Sequence, residues 1–264
     1  AIHINDTHPT LAIPELMRND EGTAGQEGSG LKITGIRMTI VTKGSAIPGE
    51  KAAVQGIDPN RPMIALTFDD GPHAPVTNRI LDSLEANGGR ATFFMVGNRV
   101  TGKANKAAVA RMAALGCEVA NHTYEHKAIT KLGAEGIKSQ LARANDSIRL
   151  AGGVSPVLMR PPGGAKSDAA MKTVGSMGMS AVLWSIDTLD WKTKNKQKTI
   201  DAVIGHVKDG DIVLMHDLYG TTADAAEVII PKLKEMEFQL VTVSELASYR
   251  GGIQPGKVYS RFRP

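Results

Sequence analysis

MIALTFDDGP, residues 63–72, is an apolar run of strand length that ends in two adjacent acids and a Gly-Pro turn. Successive strand residues face opposite sides of a sheet, so Asp69 and Asp70 point apart for as long as the pleat continues. Two neighbouring carboxylates also repel each other unless something positive lies close by. The pattern reads either as a solvated strand end entering a loop or as two acids with different tasks around a cation.

Working outward, six more β-like runs follow: ATFFMV (91–96), EVAN (118–121), VLMR (157–160), AVLWSI (181–186), DIVLMH (211–216) and FQLVTV (238–243). Helical patterns lie between them. Val76, Ile80, Leu81 and Leu84 recur at helical spacing before the stop at Gly88-Gly89. Ile137, Leu141, Ala144 and Ile148 do so before Gly152-Gly153, and Met112 and Leu115 end another helix at Gly116. A fourth runs through Ile200, Val203, Ile204 and Val207. Repeated β/α units of this kind predict an α/β fold of parallel strands with right-handed crossovers. An incomplete barrel is the first expectation and an open doubly wound sheet the second.

The 264 residues suit one large α/β barrel or two smaller domains, and the apolar content of 42% can fill a sizeable core. No apolar run approaches the roughly 18 residues of a membrane span. Ala1-Ile2-His3 lacks a basic segment followed by an apolar one, so no signal peptide is visible, although a mature secreted chain would look the same. The lone Cys117 excludes a disulfide framework and a Cys-rich metal site. A net charge of +4, with Lys and Arg dispersed, fits a polyanionic neighbour such as a bacterial wall and offers no nucleic-acid patch.

Residues 1–61 read as an N-terminal extension and 62–264 as the main domain. LKITGIRMTIVT (31–42) is the one convincing strand candidate in the extension. INDTHPTLAIPELMR (4–18) is similar to a segment of the glycogen phosphorylases, but nothing else of that family is present. We read it as a coincidence or a fusion remnant, without function, and assign none to His3 or His8.

Ligands and catalytic groups of parallel α/β folds gather where strands end. Here the first strand ends in Asp69 and Asp70, and the third in His122 and His126 of NHTYEH. The fourth ends in Arg160 of MRPPGG, the fifth in Asp187 and Asp190 of SIDTLDW, and the sixth in His216 and Asp217 of LMHD. HTYEH has the i, i+4 spacing that puts both imidazoles on one side of a helical turn. One carboxylate and two histidines leave coordination positions open, as a catalytic metal requires.

TFDDGP, HTYEH, RPPGG, DTLDW and LMH, in this order, resemble the five motifs of the polysaccharide deacetylases, the NodB-homology enzymes of carbohydrate esterase family 4. The resemblance covers about residues 62–250 and implies a distorted (β/α) barrel of about seven parallel strands. It implies one divalent ion, Zn2+ or Co2+, on Asp70, His122 and His126, and Asp69 as the general base toward the attacking water. Arg160 would pair with Asp69, and His216 would be the general acid with Asp190 holding its imidazolium. Trp184 and Leu214 would wall the acetyl-methyl pocket, with Trp191 close by. The Pro-Pro-Gly-Gly turn around Gly163 would offer a backbone N–H to the oxyanion. The chain departs from the family pattern at Gly163, often Tyr, and at Lys127, often Pro.

DTLDWKTKN (187–195) and QPGKVYSR (254–261) resemble bacterial peptidoglycan deacetylases in particular. The expected function is therefore removal of N-acetyl groups from an acetylated polysaccharide containing N-acetylglucosamine, peptidoglycan first, outside the cell or at the wall of a bacterium. An acetylxylan esterase, a chitin or chitooligosaccharide deacetylase and a silent carbohydrate-binding scaffold are the rival readings. The oligomeric state stays open. Among the remaining polar residues, His73 reads as a solvated loop histidine and His206 as helix surface. Asp187 either orients its loop or contacts sugar, the Met-rich KTVGSMGMS (172–180) reads as a helix end with adaptable packing, and Asp217 begins the next loop.

Overall fold

The structure, a computed structural model, describes residues 56–264. The strand candidate at 31–42 and the segment at 4–18 lie outside the described residues. The first half runs β1 (Met63–Asp69), α1 (Ala74–Ala86), β2 (Thr92–Met95), α2 (Gly102–Ala114), β3 (Glu118–Asn121), α3 (Ala134–Gly152), β4 (Leu158–Met159) and α4 (Asp168–Ser176). The second runs β5 (Ser180–Val182), β6 (Ile186–Asp187), α5 (Asp190–Thr193), α6 (Lys196–Ile204), β7 (Ile212–His216), α7 (Gly220–Glu235), β8 (Gln239–Leu240), α8 (Val243–Tyr249) and β9 (Val258–Tyr259). Every ladder between these strands is parallel, in the order β6-β7-β1-β2-β3-β4-β5-β9, with β8 against the start of β1.

The run AVLWSI, expected as one strand, is two. β5 pairs with β4 and β9, whereas β6 pairs with β7 at the opposite end of the sheet. Leu183, Trp184 and Ser185 thus carry the chain from one edge to the other, and the sheet curls into a distorted barrel rather than an open doubly wound sheet. Closure forces strands to tilt and stagger, and so short a run cannot keep register with both neighbours. The seam is held by the Leu183 N–H on the Tyr259 carbonyl at 2.7 Å and the Ser185 N–H on the Ile212 carbonyl at 3.0 Å. β9, two residues beside a Gly- and Pro-containing tail, is too short to leave a periodic signal.

Strand alternation separates a helix-facing side of the sheet from an inner one. On β1, Ile64, Leu66 and Phe68 face the helices in one buried cluster with α1 and α7 residues such as Ile80 and Ile229. Met63 and Ala65 belong instead to the inner cluster with Phe94, Leu158, Val182 and Ile212. Val243, Leu246 and Ala247 of α8 close that interior from the strand-start end, and a reciprocal Thr242–Glu245 capping box begins this helix. Thr67 and Asp69 continue the inward face toward the other end. There Asp69 is in register with Phe94 of β2 and His216 of β7.

Candidate active site

Asp69, the last residue of β1, is buried at the inner face. Asp70 then leaves the pleat with φ 74°, a left-handed conformation that few non-glycine residues adopt. This bend, one residue before the expected Gly71-Pro72 turn, aims the two carboxylates at one place. The twist is held from several sides: the Arg99 guanidinium donates to the Asp70 carbonyl at 3.0 Å, and the Val96 N–H to the Gly71 carbonyl at 2.9 Å. Strain of this kind persists only where the surroundings over-determine it, and it collects at functional sites.

His122 and His126 do not sit on a helical turn, contrary to the spacing argument. The segment is irregular, with positive φ at Thr123 (64°) and His126 (55°). Gln140 of α3 holds it, its side-chain oxygen accepting from the Tyr124 N–H at 3.1 Å and the Glu125 N–H at 2.8 Å. The rings still converge, their centroids 4.9 Å apart. His122 Nε2 lies 3.3 Å and His126 Nε2 3.1 Å from Asp70 Oδ1.

The donor set fits a cation. His122 Nδ1 is 2.7 Å from the Arg160 carbonyl, which only accepts, so Nδ1 carries the proton and Nε2 presents a lone pair to Asp70. Asp70 Oδ1 is buried with no aligned hydrogen-bond donor. Lone-pair atoms this close need a positive species between them. Burial would push the Asp70 carboxyl up, but positive charge on the two facing imidazoles, the role a cation takes over when they are neutral, holds it far below the usual carboxylate range. Among the described residues, these three form the one cluster of potential metal ligands, their ligand atoms all within 4.8 Å of one another.

Arg160, just past β4, is 0% exposed and uses its whole fork. Nη1 donates to Asp69 Oδ1 at 2.7 Å and to Thr67 Oγ1 at 2.8 Å. Nε and Nη2 donate to the Val182 and Leu183 carbonyls, each at 2.9 Å. The same side chain therefore pairs with Asp69 and pins the seam where the chain changes edges. Its guanidinium also lies 4.2 Å over the Phe94 ring. Thr67, two residues before Asp69 on the same face, went unnoticed in the sequence although strand periodicity puts it there.

On the neighbouring strand β7, His216 Nδ1 is 2.7 Å from Asp190 Oδ1. The other Asp190 oxygen accepts from the His216 N–H at 2.8 Å and from Thr222 Oγ1 at 2.7 Å. Burial would lower the His216 pKa, but Asp190, with Asp69 and Asp70 behind it, raises it above the usual imidazole value. Leu189 makes this possible. With φ 51° it turns Asp190 inward while leaving itself 41% and Trp191 48% exposed. Asp187 accepts from the Leu189 N–H at 3.0 Å and so orients this loop.

Leu214 is buried on β7, in register with Thr67 of β1, and Trp184 is half-buried at the seam. Gly163 and Gly164 follow with φ 65° and 69°. A Cβ on Gly164 would come within 3.1 Å of the Trp184 ring, whereas one on Gly163 would meet open space. The Gly164 and Ala165 N–H groups are used on the Pro161 and Pro162 carbonyls. Tyr219 adds a ring that sequence reasoning missed, 6.5 Å from His216 and capped by Lys194 Nζ at 5.2 Å. His73 is exposed at the start of α1 and His206 at the end of α6.

Fold and site together place a cluster of potential metal ligands at the strand ends of a parallel α/β barrel. Residues 56–182 match the family model described as polysaccharide deacetylase. The chain is 43% identical over 190 residues to the peptidoglycan-N-acetylmuramic acid deacetylase PdaC of Bacillus subtilis, covering 72% of this chain and 40% of that protein. It is 36% identical over 196 residues to a peptidoglycan-N-acetylglucosamine deacetylase of Bacillus cereus, covering 72% and 91%. The solved structure of PdaC matches with a TM-score of 0.68 over 73% of this chain and 93% of that one. A family 4 acetyl xylan esterase from Clostridium thermocellum, in complex with a cobalt ion, matches at 31% identity and a TM-score of 0.71 over 76% and 100%. The chain belongs to the polysaccharide deacetylase family. It spans well under half the length of the Bacillus subtilis relative, 40% of it.

Proposed function

We propose that residues 62–264 form a metal-dependent deacetylase that removes N-acetyl groups from peptidoglycan, at the wall or outside the cell. The observation that carries this reading is the convergence of Asp70, His122 and His126 beside two charged pairs, Asp69–Arg160 and His216–Asp190. Relatives that act on peptidoglycan at up to 43% identity support the substrate class.

Asp70, His122 and His126 would hold one divalent ion, Zn2+ or Co2+, which when bound polarises the acetyl carbonyl and acidifies the attacking water. Asp69, paired with Arg160 at 2.7 Å, would take a proton from the attacking water. The Gly163 N–H, given no acceptor among the described residues, supports the developing oxyanion. His216 delivers a proton to the amine nitrogen, because an amine leaves poorly unless protonated. Trp184 and Leu214 enclose the methyl group, and Trp191 offers its exposed face to a sugar.

The test is acetate release from peptidoglycan, chitooligosaccharides and acetylated xylan. Peptidoglycan is expected to give the highest kcat/KM, and no acetate from any of the three would remove the enzyme reading. The Clostridium esterase favours a second reading, O-deacetylation by the same groups. An alkoxide leaves more easily than an amine, so His216→Ala is expected to cost N-acetyl cleavage more than O-acetyl cleavage on matched sugars. Equal losses would contradict the role given to His216.

The charge of Asp190 sets the alkaline limit of activity. His216 must carry its proton, and a raised pKa keeps it there to higher pH. Asp190→Asn removes the main raising influence, so the alkaline limb of the kcat/KM profile is expected to move to lower pH. A limb that stays in place or moves upward would rule out His216 as the acid.

A further inference from the structure

Asp217 does more than begin a loop. It follows His216 directly and is completely buried. Its backbone N–H donates to the Asp69 carbonyl at 3.2 Å. Its Oδ2 accepts from Thr77 Oγ1 at 2.5 Å, and that hydroxyl accepts in turn from the His73 N–H at 3.0 Å. The carboxylate lies flat against Gly71, where a Cβ would collide with both of its oxygens. Its second oxygen has no hydrogen-bond partner.

One residue thus touches the turn 69–73 at its beginning and its middle, and through Thr77 at its end. That turn carries Asp69 and holds Asp70 in its left-handed conformation. A buried acid is a costly way to fill space, and a hydrophobic residue would do that better. We propose that Asp217, braced by Thr77 and seated on Gly71, is a positioning residue that sets the angle at which Asp70 meets the two imidazoles. It links the turn bearing the metal ligand to the strand bearing His216, so both halves of the site share one brace. This rests on the reading of Asp70, His122 and His126 as a metal site.

The test is titration of Co2+ into metal-stripped wild-type, Asp217→Asn, Thr77→Val and Asp70→Asn proteins, following affinity and the d–d absorption of the bound ion. Thermal unfolding of the metal-free proteins is measured alongside. Asp217→Asn and Thr77→Val are each expected to weaken Co2+ binding about 10- to 100-fold, the usual cost of losing a group that orients a ligand, and to shift the absorption band. Unchanged affinity and band in these two, with Co2+ lost in Asp70→Asn, would overturn the inference alone, whatever happens to the unfolding temperature. Wild-type protein that takes up no Co2+ would overturn the metal-site reading and the inference with it. If Asp217→Asn does not fold, Thr77→Val decides, because it removes one hydroxyl and keeps the carboxylate.

Discussion

Asp69→Asn is expected to lower kcat for acetate release by about 10²- to 10⁴-fold, the range general-base catalysis commonly supplies, while the protein still takes up its metal ion. The asymmetry with its neighbour is the informative part. Asp69 Oδ1 is held by Arg160, and its Oδ2 lies 3.7 Å from His122 Nε2, farther than either imidazole nitrogen lies from Asp70. Asp70 Oδ1 instead meets both imidazoles and no donor. Asp70→Asn should therefore lose the ion itself, and activity with it. Asparagine at 69 still accepts from Arg160, so the local geometry survives while the base is gone. Metal content by mass spectrometry beside kcat separates the two. An Asp69→Asn protein that retains kcat within about tenfold, or that is metal-free, would sink the assignment of base and ligand.

Arg160→Met is expected to destabilise the fold by about 3–5 kcal/mol, the cost of leaving one member of a buried ion pair alone. Asp69 would lose its cation inside the barrel, and the Val182 and Leu183 carbonyls would lose their donors at the seam. Activity should fall as well, because the same loss frees the base. Arg160→Lys should restore little. An ammonium is a compact charge that cannot reach the four acceptors a planar fork serves at once. Urea unfolding of the wild-type and both variants measures this. A loss below about 1 kcal/mol for Arg160→Met would mean that the pair is not the brace its geometry describes.

The polar residues of the candidate site were legible because each sits at the end of an apolar run, and strand ends of parallel α/β folds share one face. Asp69, Asp70, Arg160 and His216 needed nothing more than that. The helical reading of HTYEH failed for a specific reason. An i, i+4 spacing is satisfied equally by a loop, and the residue that shapes this loop, Gln140, lies on the next helix. The single strand expected at 181–186 failed because hydrophobic periodicity reports burial and says nothing about which neighbour a strand pairs with.

Alternation, apolar spacing and the order of five motifs are local properties, and they alone determined the class of fold, the end of the barrel that matters and the residue types gathered there. Which groups face one another was decided by closure of the sheet. Arg160 reaches Asp69 across 91 residues, and Thr77 reaches Asp217 across 140. Thr222 completes the hold on Asp190 from α7. Contacts between groups so far apart in sequence exist only once the strands have paired and the curled sheet has gathered their ends.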